Sequence, residues 1–226
     1  LVGTAVGTFF TGSPFTVNKT AIMDLSSPVI STWDSPWRGL EALAQPHAVL
    51  LGLALVGLTV ILGCLYLLNN IDDTETETQM RRTIKITAVP FLVIFLVWLG
   101  ILLTKEGFAV NASGTVAMEK YKYLHNLIQM PAVLIMVLVG VVGVLASIWM
   151  GGFTKSTKGI WFGGIGTVLV VMAVFFIAGF NGTSYYPSHT DIQSSLTLAN
   201  SSSSKFTLQV MSIVSLLIPF VLAYIV

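Results

Sequence analysis

The chain has 226 residues, 11 of them Lys or Arg and 10 Asp or Glu, so charged side chains make up 9%, against roughly 25% in soluble domains. With 54% apolar residues and a mean hydropathy of +0.86, a water-soluble globule is excluded. A net charge of +1 offers no basic patch to neutralise phosphates, which excludes nucleic acid as a partner, and a single cysteine excludes a disulfide framework.

Residues 1–10 (LVGTAVGTFF) are apolar but short, and read as the last turns of a helix that begins earlier. Leu stands at position 1 and Val226 lies inside an apolar run, so the chain reads as a piece of a longer protein. Residues 11–46 form the first loop. Within it, Ser35 is placed to cap a short helix with Pro36 at its first position. That helix would put Trp37, Leu40 and Leu43 on one face and turn Asp34, Arg38 and Glu41 toward water. Indole rings favour the headgroup level of a bilayer, so the plainer reading is an amphipathic helix lying on the membrane. The functional reading makes Trp37, Arg38 and Glu41 the candidate site residues, shaping a quinone headgroup site or a subunit contact.

Charge-free stretches of about 20 residues, enough to cross a hydrocarbon core of roughly 30 Å, then follow in order. They give spans at 47–69, 86–104, 127–150, 160–180 and 206–226. Between them lie short loops at 70–85 and 151–159 and longer, Ser/Thr-rich loops at 105–126 and 181–205. The run Ser201–Ser204 reads as a flexible linker. Pro90, Pro131 and Pro219 lie within or at the start of spans and suggest kinks. Gly159, Gly163, Gly164 and Gly166, with Gly140, Gly143 and Ser147 on the preceding span, mark close helix packing. The fold class is therefore all-α: a polytopic transmembrane bundle of five full spans plus the end of a sixth, in one transmembrane domain over 1–226. Asn-x-Ser/Thr triplets at Asn18, Asn111, Asn181 and Asn200 read as incidental in such loops.

Arg81, Arg82, Lys85, Lys155 and Lys158 crowd the two short loops, whereas the other cations are spread over the long ones. The positive-inside bias acts in short loops near span ends, which places 70–85 and 151–159 in the cytoplasm and 11–46, 105–126 and 181–205 outside. No Asp, Glu, Lys or Arg falls inside any of the five spans. Intramembrane charges usually mark ion or proton paths, so no relay is expected here. His47 and His125 open helices and His189 lies in a loop, which does not make the paired intramembrane set of a bis-histidine haem. Cys64, Met172 and Met211 read as packing.

Several segments together resemble subunit II of the bacterial cytochrome bd quinol oxidases. Gly12-Ser13-Pro14-Phe15, a Trp-bearing loop and Leu43-Ala44-Gln45-Pro46 are similar to that family's lead into its fifth helix. The more specific match is Tyr186-Pro187-Ser188, Ser195-Leu196-Thr197, Ala199, Ser203-Ser204, Thr207-Leu208, Met211 and Pro219, in the order of the family's last outer loop and final helix. Asn69-Asn70 is similar to the cyanide-insensitive branch. The resemblance implies a haem-free supporting subunit running from the end of helix four to helix nine, in the bacterial inner membrane with its long loops periplasmic. It implies pairing with a haem-bearing subunit I that ligates haem b and haem d. The heterodimer would oxidise quinol and reduce dioxygen, with membrane lipid around it and a possible structural quinone in this subunit. No catalytic or metal-ligating residue is carried over to this chain. The alternative is a subunit of a membrane transporter or channel, and a membrane enzyme with its active site in a loop ranks last.

Overall fold

The computed structural model describes residues 1–18 and 30–225; the part of the first loop at 19–29, and Val226 at the end of the last expected span, lie outside the described residues. Helix α1 (Val2–Thr11) leads to β1 (Phe15–Val17), which pairs antiparallel with β2 (Ser31–Trp33), Phe15 opposite Trp33. A 3-10 turn, Leu40–Ala44, precedes α2 (Pro46–Asn70). Then come α3 (Thr74–Thr104), the hairpin β3 (Glu106–Val110) and β4 (Val116–Lys120), and the short α4 (Lys122–Gln129). Helices α5 (Pro131–Phe153) and α6 (Gly159–Gly179) follow, and after a one-turn α7 (Leu198–Ser201) the description closes with α8 (Lys205–Ile225).

Helix starts follow local chemistry. Pro46 and Pro131 occupy the first positions of α2 and α5, where a missing N–H does no harm. Asp73 caps α3 by accepting the Thr76 N–H at 2.8 Å. Glu75 and Glu77 in its first turn complement the helix dipole.

Two expectations need correction. The stretch 70–85 is not a loop: only 71–73 are non-helical, and α3 runs 31 residues, about 46 Å at 1.5 Å each. It therefore extends well past a hydrocarbon core. The span expected at 127–150 begins at Pro131, because 122–129 form a separate helix and the chain turns at Met130. Among the described residues, α2, α3, α5 and α6 are long and apolar enough to cross a membrane, and α8 covers 21 residues where the fifth span is expected. The described apolar stretch of α8 is shorter, Lys205–Ile218.

The four long helices form a bundle in which α2 packs on α3 and α5 on α6. The α5–α6 contact depends on small residues: a Cβ at Gly166 would sit 2.7 Å from the Gly140 carbonyl oxygen, and one at Gly163 would sit 2.9 Å from Ser147 Oγ. Toward the short-loop end the core holds Ile61, Leu65, Ile84 and Ile148; toward the opposite end it holds Phe10, Trp98, Leu102 and Tyr123. Every described side chain of α8 is exposed.

At the short-loop end, Arg81 joins α3 to the end of α5. Its Nη1 donates to the Gly151 carbonyl at 2.8 Å and to the Thr154 carbonyl at 2.5 Å, while Nε and Nη2 each reach Glu77 Oε1 at 2.8 Å. The guanidinium thus satisfies carbonyls that a helix C-terminus leaves without partners.

Candidate functional site

The segment holding Trp37, Arg38 and Glu41 is a turn rather than the expected capped helix. Arg38 (φ 48°) and Gly39 (φ 100°) both take positive φ, so helical geometry starts only at Leu40. Ser35 Oγ does accept the Trp37 N–H, at 3.3 Å, as the sequence suggested, but Pro36 opens a turn. Glu41 folds back to accept the Gly39 N–H at 2.7 Å. The Ser35 hydroxyl and that N–H hold its carboxyl below the usual carboxylate range. Trp37, Leu40 and Leu43 are all more than half exposed. The three candidate residues therefore share one turn but do not line the cavity described below.

Around this turn the long-loop segments form a stitched cap. Ser188 Oγ donates to the Phe15 carbonyl at 2.5 Å, and Ser195 Oγ accepts the Ser188 N–H at 3.0 Å. Ser194 Oγ accepts the Val17 N–H at 2.9 Å, and Ser184 Oγ donates to the Leu196 carbonyl at 2.7 Å. Gln193 ties in the hairpin through both the N–H and the carbonyl of Val116. Ser184, Ser188, Ser194 and Ser195 are buried. The Tyr-Pro-Ser and Ser-Leu-Thr elements that carry the resemblance are thus the joints of this cap. Tyr186 stacks on Phe15 (centroids 5.5 Å) and its hydroxyl meets Ser13 Oγ at 3.1 Å. The run Ser201–Ser204, expected as a linker, is one residue of helical turn followed by three without regular structure, and Thr197 and Asn200 form a reciprocal cap just before it.

Beneath the cap lies a set of polar groups that the hydropathy reading passed over. Asn126, fully buried, donates to the Ile177 carbonyl at 2.9 Å and to Thr183 Oγ1 at 2.7 Å, and its Oδ1 accepts from Asn181 at 3.1 Å. It binds α4 to the end of α6. Lys105 Nζ donates to the Phe10 carbonyl at 2.6 Å, and burial pulls its pKa down to about 8. The Tyr123 hydroxyl and Trp98 Nε1 are buried without hydrogen-bond partners, and burial pushes the Tyr123 pKa up. Phe10 meets both rings edge-on, and His47 stacks on Trp98 with centroids 5.6 Å apart. The available signal for Asn126 was its place on the inner face of the amphipathic stretch 122–129, shared with the buried Lys122 and Tyr123.

Between α2, α3, α5 and α6 is an apolar cavity of about 380 Å³, with walls that include Leu55, Phe95, Leu99, Val144, Val170 and Phe175. Its polar residue is Thr167, whose buried hydroxyl has no partner. None of the three histidines lines it. His47 is covered by the Trp98 ring, and His125 pairs with Glu119 at 3.0 Å in an exposed site. No group of three or more His, Cys, Asp or Glu is placed to hold a metal ion among the described residues. Among the described residues, the walls of this cavity hold no His, Met or Cys to ligate a haem iron.

The whole chain, residues 1–226, matches the family model for cytochrome bd terminal oxidase subunit II. Comparison with curated proteins gives no match.

Proposed function

The chain belongs to the family of cytochrome bd terminal oxidase subunit II, a multi-pass membrane subunit of a respiratory oxidase whose complexes use haems, and we propose that it is the haem-free supporting subunit of a quinol:dioxygen oxidoreductase. The observation that carries this reading is the family match along all 226 residues. In this reading a larger subunit I in the bacterial inner membrane ligates haem b and haem d and forms a heterodimer with this chain. The stitched cap faces the periplasm, and the end holding Arg81, Lys155 and Lys158 faces the cytoplasm, as the cation density of the short segments favours. Residues 1–226 act as one transmembrane domain. A structural quinone in this subunit would lay its isoprenoid tail in the apolar cavity. Trp37, Arg38 and Glu41, on an exposed turn away from that cavity, serve subunit contact rather than quinone chemistry.

The test is to purify the full-length subunit from its native membrane, record the optical spectrum and identify what travels with it. Co-purification with a haem-bearing larger subunit and quinol-dependent oxygen uptake is the expected result. A stable haem-free protein that purifies alone would overturn the reading and favour a transporter or channel. Arg38→Ala should lower the amount of assembled complex while leaving turnover per complex intact; the reverse pattern would make the turn part of the quinol site.

A further inference from the structure

Asn181 is the one asparagine in the chain followed by glycine. It stands just past the end of α6, where Asn181 (φ 56°) and Gly182 (φ 61°) both take the left-handed conformation that such a pair tolerates. Both residues are exposed. The Gly182 carbonyl accepts the Val110 N–H at 2.8 Å, while its own N–H donates no hydrogen bond among the described residues. A side-chain amide is open to attack by the backbone nitrogen that follows it. Two features slow that attack: a Cβ on the following residue, and a hydrogen bond that occupies its N–H. Gly182 has neither. The other asparagines are guarded. The residues after Asn70 and Asn200 give their N–H groups to the Leu67 and Thr197 carbonyls, at 2.9 and 3.1 Å. Asn69 and Asn126 lie within helices, and Lys19 and Ala112, after Asn18 and Asn111, each bring a Cβ.

The amide at risk also joins two helices. Asn181 Nδ2 donates to Asn126 Oδ1 at 3.1 Å and to Gln129 Oε1 at 2.6 Å, so two residues of α4 rely on one NH2 group. A carboxylate in its place only accepts, and would face two carbonyl oxygens. Gln129 is exposed and can turn its amide round. Asn126 is fully buried and gives its own Nδ2 to the Ile177 carbonyl and to Thr183 Oγ1. Turning it would strand both of those groups.

We propose that Asn181 is a site of spontaneous deamidation, and that its conversion unlatches α4 from the end of α6. The Gly182 nitrogen attacks Asn181 Cγ and forms a C–N bond. The Cγ–Nδ2 bond breaks, and ammonia leaves with the proton from the Gly182 N–H. Water then opens the cyclic succinimide at one carbonyl or the other, giving aspartate or isoaspartate. The reaction consumes only water, so it stands or falls separately from the oxidase assignment. Either product puts a carboxylate against Asn126 Oδ1. Isoaspartate also lengthens the backbone by one bond, between the end of α6 and the hydrogen bond that Gly182 makes with Val110. The two bonds to α4 hold the amide in place until they open, so the joint sets the pace of its own loss.

The experiment incubates the full-length subunit, in whatever complex it purifies with, in heavy-oxygen water at mildly acidic and mildly alkaline pH. Peptide mass spectrometry then locates the label. Asn181 should take it up ahead of Asn111 and Asn200, and faster in alkali, where the attacking nitrogen loses its proton more readily. Gln129→Ala removes one acceptor and should speed conversion about fivefold, the population factor for one net hydrogen bond. Asn181→Asp stands in for the product. It should raise hydrogen exchange across 122–129 and leave exchange in the α2–α3 core as in wild type. The proposal is overturned if Asn181 is labelled no faster than Asn111, or if Gln129→Ala converts at the wild-type rate. It is overturned too if Asn181→Asp protects 122–129 as well as wild type does.

Discussion

Replacing Arg81 with alanine removes the only side-chain donor that the described structure offers to the Gly151 and Thr154 carbonyls at the end of α5. The side chain is 14% exposed, so the contact sits largely out of water. Hydrogen bonds from a charged donor contribute about 1.5–3 kcal/mol each, and a cation at a helix C-terminus adds about 0.3–1 kcal/mol. Water in the headgroup region can partly replace the lost donors, so the expected loss is about 2–4 kcal/mol. For a chain of this size that corresponds to a melting temperature lower by roughly 4–16 °C. The assay is thermal unfolding of the purified subunit in detergent. Arg81→Lys keeps the charge but not the fork of donors, and should recover about half of the loss. Glu77→Gln should cost under about 1 kcal/mol, because Glu77 is 42% exposed and pairs of that kind contribute little. If Arg81→Ala melts within a degree of wild type, the clamp is not holding α5 to α3 and the reasoning fails.

Asn126→Ala should destabilise by about 2–4 kcal/mol, since it strands the buried Thr183 hydroxyl and the Ile177 carbonyl; proteolysis at 181–197 would rise with it, and unchanged protection would count against the network. Gly166→Leu should prevent α5 and α6 from closing, given the 2.7 Å approach to Gly140, and abolish accumulation of folded protein, whereas Gly164→Leu should not. Lys105 has its pKa lowered from 10.5 to about 8, so between those values the unfolded chain holds a proton that the folded one has released. Stability should therefore rise with pH across about 8 to 10.5 and fall back as pH drops through 8. Melting curves against pH should show that rise in wild type and lack it in Lys105→Met.

Hydropathy located α2, α5 and α6 to within a few residues because each consists almost wholly of side chains suited to lipid. It misjudged α3 because it finds the membrane, not the helix: Thr74–Arg81 is helical through its Asp73 cap and acidic first turn, features that carry no hydropathy signal. The hairpin at 106–120 was missed for a related reason. Its turn is spelled by Asn111 and Gly114, the latter at φ 79°, but its strands are too short to stand out among long apolar runs. The turn at Arg38–Gly39 illustrates a third cause. Ser35-Pro36 is a fair helix start, yet Arg38 takes left-handed geometry, which is uncommon for a residue with a Cβ and has no signal in the side-chain pattern. The candidate residues there were chosen for their chemistry, while the polar groups the structure reveals (half-buried Lys105, buried Asn126 and Tyr123) lie at span ends where neither hydropathy nor charge counts distinguish them from loop.

The stitched cap has a bearing on biogenesis. Its joints come from 13–17, 108–116 and 183–197, segments separated in the chain by whole pairs of membrane helices. None of them can close on the others until the last has reached the same side of the membrane, so the cap forms only when α2, α3, α5 and α6 have each been threaded in the right direction. A helix inserted backwards would leave its segment on the wrong side of the bilayer and the serine hydroxyls without their carbonyls. Closure of the cap is thus a check on the topology of the nascent chain.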